Sequence, residues 1–194
     1  MGKLTHEELF SLEEYSRNRP DFRAKVIEHK KNRRVAIGDH ASLYFEDKLT
    51  IQYQVQEMLR IEKIFEQAGI QEELDVYAPL IPDGNNWKAT FMLEYKDIEE
   101  RKKALAKLIG VERALYVQIG DHEKVRPIAN EDLDRETEDK TSAVHFVRFE
   151  LTAQMIESLK AGAGLIIGID HAEYDQNVSL GQGSVRESLI SDLD

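Results

Sequence analysis

The fold prediction starts from residues 82–95, which read Pro-Asp-Gly-Asn-Asn-Trp-Lys-Ala-Thr-Phe-Met-Leu-Glu-Tyr. The first five of these residues are types that favour turns, and they form the clearest break in the chain. The residues that follow, 87–95, are typical of a β-strand. The pattern of the chain changes here, because the segment before the break is mainly helical, whereas strands and helices alternate after it.

Downstream of this first strand, the sequence predicts helix, strand, short strand, strand, helix and strand. Two helices are predicted in this part. The first covers 98–109 and is capped by Asp97, and the second is capped by Thr152 and runs to Lys160. The predicted strands cover 115–119, 125–129, 143–151 and 165–169. The complete order, β-α-β-(β)-β-α-β, fits a ferredoxin-like plait with one extra strand and an acidic insert in its middle.

Upstream of the break, the chain is predicted to be helical with one small hairpin. Thr5 and Glu8 have the spacing of a capping box, which begins a short helix that ends near Arg19. Pro20 suits the first turn of a second helix. The hairpin strands are predicted at 35–37 and 41–45.

Residues 50–68 carry two competing patterns. Apolar residues alternate with glutamine over 51–56, which is the period of a strand. Over the longer stretch, apolar residues recur every three or four positions, and Gly69 follows as a residue favoured just past a helix end. The sequence therefore predicts a helix at 50–68, and residues 50–56 remain open between helix and strand.

As a whole, the sequence predicts an α+β protein that forms one compact unit. Its N-terminal region, 1–78, is mainly helical and contains the small hairpin. The plait covers 79–175. A C-terminal tail covers 176–194, with a loop followed by a short helix around 185–193.

Composition excludes several classes of protein. The chain has 194 residues and no cysteine, so it forms no disulfide and holds no iron–sulfur cluster on cysteine ligands. Its 37 acidic and 26 basic side chains give a formal charge of −11, which argues against a nucleic-acid binder that neutralises many phosphates. No apolar run approaches the roughly 20 residues of a membrane span, and no secretory-signal pattern opens the chain, so a cytoplasmic location is expected.

Charge is unevenly distributed along the chain. Residues 17–34 contain eight basic and two acidic side chains, a net charge of +6, while an acidic run lies at 131–139. The basic segment is open to three interpretations: a docking surface for an acidic partner or a phosphorylated ligand, a solvated helix face, or docking against 131–139 within the chain or across a homodimer. The candidate docking residues are Lys30, Lys31, Arg33 and Arg34.

Glu57 and Arg60 are a further candidate pair, three residues apart on one polar stripe of the predicted helix 50–68. One interpretation is an exposed ion pair, since such pairs are common and contribute little to stability. The other is a polar pocket wall in which Glu57 binds a cation or accepts a proton.

The strand order of a plait, 4-1-3-2, would gather three histidines along one sheet edge. His122, His145 and His171 would lie on this rim, with Asp170 beside His171. Imidazoles and carboxylates are ligands of zinc, iron and manganese, so the rim is a candidate transition-metal site. The alternative for His145 is an ordinary, partly buried histidine with hydrogen-bond partners.

Five stretches of the sequence resemble an uncharacterised bacterial family, the domain-of-unknown-function family 3501. The stretches are 29–35, 53–62, 79–84, 140–146 and 168–171. The resemblance brings no activity and no catalytic residues. It implies a redox or oxidative-stress setting, because members of the family are often encoded near rubrerythrin-like proteins and iron–sulfur reductase subunits. In that setting the chain would assist a redox partner, since it has no cysteines to hold a cluster.

Two functional hypotheses follow. The first is an accessory protein that docks to a redox enzyme through its basic segment. The second is an enzyme or sensor with a metal or small-ligand site that draws on the three histidines and Glu57. No nucleophile–base pair has a spacing that indicates a reaction. Convergence of those side chains in a pocket would favour the second hypothesis.

Overall fold

The architecture is that of a computed structural model, which describes residues 4–131, 135, 137 and 139–194. The helices of this part are α1 (Leu12–Lys30), α2 (Lys48–Glu62), α3 (Gln67–Tyr77), α4 (Ile98–Lys107), α5 (Val111–Ala114), α6 (Ala153–Lys160) and α7 (Ser184–Ile190), with 3₁₀ turns at His6–Glu8 and Ala78–Leu80. The strands are β1 (Arg34–Ile37), β2 (Ala41–Phe45), β3 (Asn86–Leu93), β4 (Leu115–Ile119), β5 (Ile128–Ala129), β6 (Val144–Glu150), β7 (Leu165–His171) and β8 (Tyr174–Leu180). None of the helices in this described part combines the length and apolar character needed to cross a membrane.

The strands form two antiparallel sheets. The larger sheet has the order β1-β2-β3-β6-β5, and the smaller sheet has the order β4-β7-β8. Buried side chains of both sheets belong to one hydrophobic core, which includes Trp87, Phe91 and Phe149 of the larger sheet and Val117 and Ile167 of the smaller one. The two sheets therefore pack against each other as two layers around a shared core.

The N-terminal helices have a smaller core of their own. It is built from Ile51, Val55 and Leu59 of α2 together with Leu74 of α3. These α2 residues lie four residues apart along the helix, so they share one face, and that face packs against α3.

Local signals in the sequence are confirmed where they depend on near neighbours. Residues 50–56 are helical, and the hairpin is formed by β1 and β2. Asp97 accepts a hydrogen bond from the amide of Glu100 at 2.8 Å, and Thr152 caps α6 in the same way through the amide of Met155 at 3.3 Å. Each cap spans three residues, so it is readable without knowledge of the tertiary fold.

Helix boundaries before the break differ from the predictions. The capping box of Thr5 and Glu8 exists, but it begins only a 3₁₀ turn, and α1 is capped anew by Ser11. α1 then runs through Pro20 without ending. Proline removes one backbone hydrogen bond from a helix interior, and α1, which packs on α2, continues in spite of this loss. Pro20 therefore starts no second helix.

Two further differences lie in the turns and the tail. The predicted helix 50–68 is divided, because Lys63 adopts a left-handed conformation with φ of 55° and ends α2. Gly69 consequently lies inside α3 and ends no helix. In the tail, the residues of β8 pair with β7 where the sequence predicts a loop.

The predicted α+β class is confirmed, but the predicted ferredoxin-like plait is not formed. The strands form two packed sheets instead. A plait would place four strands in one sheet in the order β7-β3-β6-β4. Only its central pair, β3 beside β6, is formed. The hairpin strand β2 occupies the free edge of β3, and β5 occupies the free edge of β6. Since both edges are taken, β4 and β7 pair with each other in the second sheet.

Candidate functional site

The turn-rich break at 82–86, together with the residues from Pro79 that lead into it, lies where the helical layer meets the larger sheet. The side chain of Asn86, the first residue of β3, donates a hydrogen bond to Glu150 of β6 at 3.0 Å. On the other side, the amide of Asp194 donates to the carbonyl of Gly84 at 2.9 Å. The break is therefore held in place by the neighbouring strand and by residues 184–194, called the C-terminal segment below.

Beside this loop, α3 and the larger sheet enclose a groove of about 360 Å³, called the α3 groove below. Its apolar lining is Val76, Tyr77, Pro79 and Leu80 from the helical side, and Ile128, Phe146 and Val147 from the sheet. Val76 is 67% exposed and Ile128 is 43% exposed, so an apolar surface stays open to solvent at this place. A concave, mainly apolar site with a few polar groups is typical of small-molecule binding.

Two cations, Lys88 and Arg148, form the polar end of the α3 groove. They lie directly opposite each other on the neighbouring strands β3 and β6, where Cβ atoms are about 5 Å apart. The side chain of Lys88 is 11% exposed, and its Nζ donates to the carbonyl of Ile81 at 2.8 Å. Arg148 donates through Nε and Nη2 to the two carboxylate oxygens of Glu131, at 2.9 and 2.7 Å, and through Nη1 to Glu150.

Carboxylates already lie against both cations at the polar end of the groove. Like charges on directly opposite strand positions repel each other, and here Glu131 and Glu150 pair with Arg148, while Asp83 lies 3.6 Å from Lys88. The hydrogen bonds from Arg148 lower the pKa of Glu131, and the charge of Lys88 acts in the same direction. The same contact raises the pKa of Arg148. Glu131 is therefore one of two carboxylates held by Arg148, and the one that occupies its Nε–Nη2 edge.

A larger depression of about 800 Å³ lies on the other side of the loop. Its wall carries four acidic side chains, namely Asp83, Glu150, Glu157 and Asp194. Acidic side chains by themselves do not make a cation site. Among the residues that the structure describes, no group of three or more histidine, aspartate or glutamate side chains is arranged to hold a metal ion. The α3 groove is the stronger candidate for this reason.

The predicted histidine rim is not assembled. His145 lies on β6 in the larger sheet, whereas His171 ends β7 in the smaller one. His122 follows β4, and because β4 and β7 are antiparallel it lies near Leu165, at the opposite end of the sheet from His171. The rim depended on the plait, and the two-sheet topology separates its members.

Each of these histidines has a neighbouring hydrogen-bond partner. The partners are Ser158 Oγ at 2.9 Å for His122, Thr141 Oγ1 and the Ser142 carbonyl, both at 3.0 Å, for His145, and the Ile109 carbonyl at 3.1 Å for His171. His145 is fully buried, as expected of a hydrogen-bonded core histidine. Asp170 pairs with Arg126 at 2.6 Å, and this hydrogen bond lowers the pKa of Asp170 to about 2. The candidate ligands are thus engaged in separate contacts.

Glu57 lies at the interface between α1 and α2. It accepts hydrogen bonds from Arg19 at 2.7 and 2.8 Å and from the Tyr15 hydroxyl at 2.7 Å, whereas Arg60 is 3.4 Å away. The hydrogen bonds from Arg19 lower the pKa of Glu57 to about 2, and those from Tyr15 and Arg60 act in the same direction. The main role of Glu57 is to join two helices, a role that its spacing from Arg60 did not indicate.

Arg33 does not belong to the predicted docking surface, because it is only 1% exposed. Two of its nitrogens donate to the carboxylate oxygens of Asp192, at 3.1 and 2.6 Å. Nε donates to the carbonyl of Phe45 at 3.1 Å, and Nη2 also donates to the carbonyl of Glu46 at 2.8 Å. This arginine links the β1–β2 region to the C-terminal segment and is not available to a partner.

The other docking residues lie closer to the surface. Lys31 pairs with Glu28, Arg34 pairs with Glu94, and Lys30 lies 5.9 Å from the ring centroid of Tyr53. Four members of the acidic run lie outside the described residues: Asp132, Asp134, Glu136 and Glu138. Docking through the basic segment stays a prediction.

Sequence reasoning missed the α3 groove and both of its cations. Lys88 and Arg148 are polar positions within two predicted strands, and nothing in the chain indicates that those strands pair at these positions. The turn-rich break was a feature of the sequence that indicated this region of the structure. Two stretches that carry the family resemblance, 79–84 and 140–146, contribute to the groove lining through Pro79, Leu80 and Phe146.

Comparison with known proteins gives matches to a family model and to solved structures. A family model described as "Protein of unknown function (DUF3501)" matches residues 3–193. A crystal structure described as a novel protein of unknown function from Burkholderia pseudomallei shares 50% sequence identity, with 100% of each chain covered and a TM-score of 0.92. No curated protein matches the chain. The similarity to both extends over the whole fold, including the strands that form the groove.

Proposed function

The chain belongs to the DUF3501 family, and we propose that it is a binding protein that holds a small, mainly apolar molecule in the α3 groove. The observation that carries this proposal is the groove itself, an apolar hollow of about 360 Å³ with two cations at one end. Its size lies near the lower end of ligand sites, which begin at about 300 Å³. A ligand of about ten to twenty non-hydrogen atoms suits such a volume.

The energetic support comes from the exposed apolar side chains. Val76 and Ile128 are large hydrophobic residues in contact with solvent. A ligand that covered roughly 100 Å² of this surface would gain about 2.5 kcal/mol from apolar burial. The loss of translational freedom offsets part of this gain, so the affinity depends on the polar end as well.

This proposal is closest to the small-ligand hypothesis from the sequence, but it uses different residues. The histidines and Glu57 form no part of the groove. The accessory role in a redox setting stays a prediction, because neither the family description nor the description of the related structure mentions such a role.

The proposal is tested with N-phenyl-1-naphthylamine, a neutral apolar probe whose fluorescence rises on binding. The unaltered protein should bind the probe at one saturable site. Val76→Glu should weaken this binding about tenfold or more, because the probe would then have to desolvate a carboxylate. The measurement is a fluorescence titration.

Ile61→Glu is the matched control, since Ile61 also lies near the end of a helix and is 56% exposed, but does not line the groove. This variant should bind the probe as the unaltered protein does. Equal affinities for all three proteins, or no saturable binding by the unaltered protein, would contradict the proposal.

A further inference from the structure

The polar end of the α3 groove is built for a carboxylate. Lys88 and Arg148 face each other on neighbouring strands, and their side chains are 11% and 26% exposed. Arginine presents a planar fork of donors that matches a carboxylate in a bidentate manner, and Arg148 already makes this contact with Glu131. The groove thus joins an apolar channel to a bidentate anion position.

Glu131 is the most exposed member of this cluster. Its side chain is 53% exposed, about twice the exposed fraction of Arg148. Ion pairs with one partner in solvent contribute only about 0–1 kcal/mol, so a competing anion has little to overcome. Glu131 is therefore a replaceable occupant of the position.

The ammonium group of Lys88 has more N–H donors than the described contacts use. An ammonium group has three N–H donors. Within the described residues, the Ile81 carbonyl is the acceptor within hydrogen-bond distance of Nζ, and the Asp83 carboxylate lies farther away, at 3.6 Å. A second carboxylate near Arg148 could accept a hydrogen bond from this lysine.

Building on the proposed function, we infer that the ligand is a small carboxylic acid with an apolar tail, whose carboxylate displaces Glu131 from Arg148 and lies between Arg148 and Lys88. The tail extends along Phe146 towards Val76. Glu131 then acts as an internal competitor that limits the affinity for carboxylates. An alcohol with the same tail would gain the apolar contacts but could not replace the charge of Glu131.

The test compares decanoate with 1-decanol as competitors of the fluorescent probe, at neutral pH. The unaltered protein should bind decanoate about tenfold more tightly than 1-decanol. Glu131→Gln should bind decanoate several-fold more tightly than the unaltered protein, because the amide carries no charge to compete for Arg148. Its affinity for 1-decanol should rise far less than its affinity for decanoate, because the alcohol carries no charge that competes with Glu131. Since Glu131 is half exposed, this variant is expected to fold normally, which its thermal unfolding will check.

A second variant, Arg148→Met, should bind both competitors with similar affinity. Equal binding of decanoate and 1-decanol by the unaltered protein would overturn the carboxylate inference and leave the apolar groove intact. Weaker binding of decanoate by Glu131→Gln would overturn the role of Glu131 as competitor. Failure of both competitors to displace the probe would instead count against the proposed function.

Discussion

Asp192→Ala is expected to lower the free energy of unfolding by about 4 kcal/mol. Asp192 and Arg33 are 2% and 1% exposed, and they form a bidentate pair at 3.1 and 2.6 Å. Removal of one partner of a buried pair costs about 3–5 kcal/mol, and the Asp47 carboxylate, 3.6 Å from Arg33 Nε, replaces the lost bidentate contact only in part. The partner that remains is Arg33, which could reach water only if the C-terminal segment moved away. Denaturant unfolding measures this change.

Two further variants show whether the loss of stability comes from the Arg33–Asp192 pair. Asp21→Ala, on the exposed surface of α1, should change the free energy of unfolding by less than about 0.5 kcal/mol. The double variant Arg33→Met with Asp192→Leu should recover part of the loss, because an apolar pair needs no compensating charge, although the carbonyls of Phe45 and Glu46 lose their donor. A single variant as stable as the unaltered protein would show that this pair contributes nothing to the attachment of the C-terminal segment.

The attachment matters for the candidate site, because the C-terminal segment contacts the loop that borders the groove. Trp87 Nε1 donates to the Leu189 carbonyl at 2.8 Å, and the amide of Asp194 donates to Gly84 at 2.9 Å. Asp192 lies between these two contacts in the sequence. Its loss should therefore also weaken binding of the apolar probe, although Asp192 does not line the groove.

Glu57→Gln is expected to lower the free energy of unfolding by about 2 kcal/mol at neutral pH, and by progressively less in acid. The pKa of Glu57 is about 2 in the folded protein, against 4.5 for an ordinary glutamate, chiefly because of its hydrogen bonds from Arg19. A carboxyl group with a depressed pKa stabilises the fold fully above the unfolded value. This stabilisation is lost as the pH falls from about 4.5 towards 2.

Denaturant unfolding between pH 3 and pH 7 measures this dependence. The difference in stability between the unaltered protein and Glu57→Gln should shrink steadily as the pH falls below about 4.5. Glu13→Gln is the matched control, since Glu13 is 85% exposed and lies 3.9 Å from Arg17 on the same helix surface. A pH-independent difference for Glu57→Gln would mean that its charge does not hold α1 to α2.

The candidate site could be predicted only in part. The turn-rich break marked the correct region, and two stretches of the family resemblance border the groove. The predicted metal ligands His122, His145 and His171 are not brought together, because the prediction placed them by a topology in which β4 and β7 joined the larger sheet. Arg33 was misplaced for a related reason, since a basic run along the sequence does not show which of its members turns inward.

The sequence by itself determined the α+β class, the hairpin, and the caps at Asp97 and Thr152. The caps rest on hydrogen bonds between residues three positions apart, and the hairpin pairs residues four to ten positions apart, so the physical cause of both lies in the local sequence. Strand partners were decided by the tertiary structure, because a strand can pair with any strand of suitable pattern. That choice brought Lys88 opposite Arg148, and it buried Arg33 against Asp192, a residue 159 positions away.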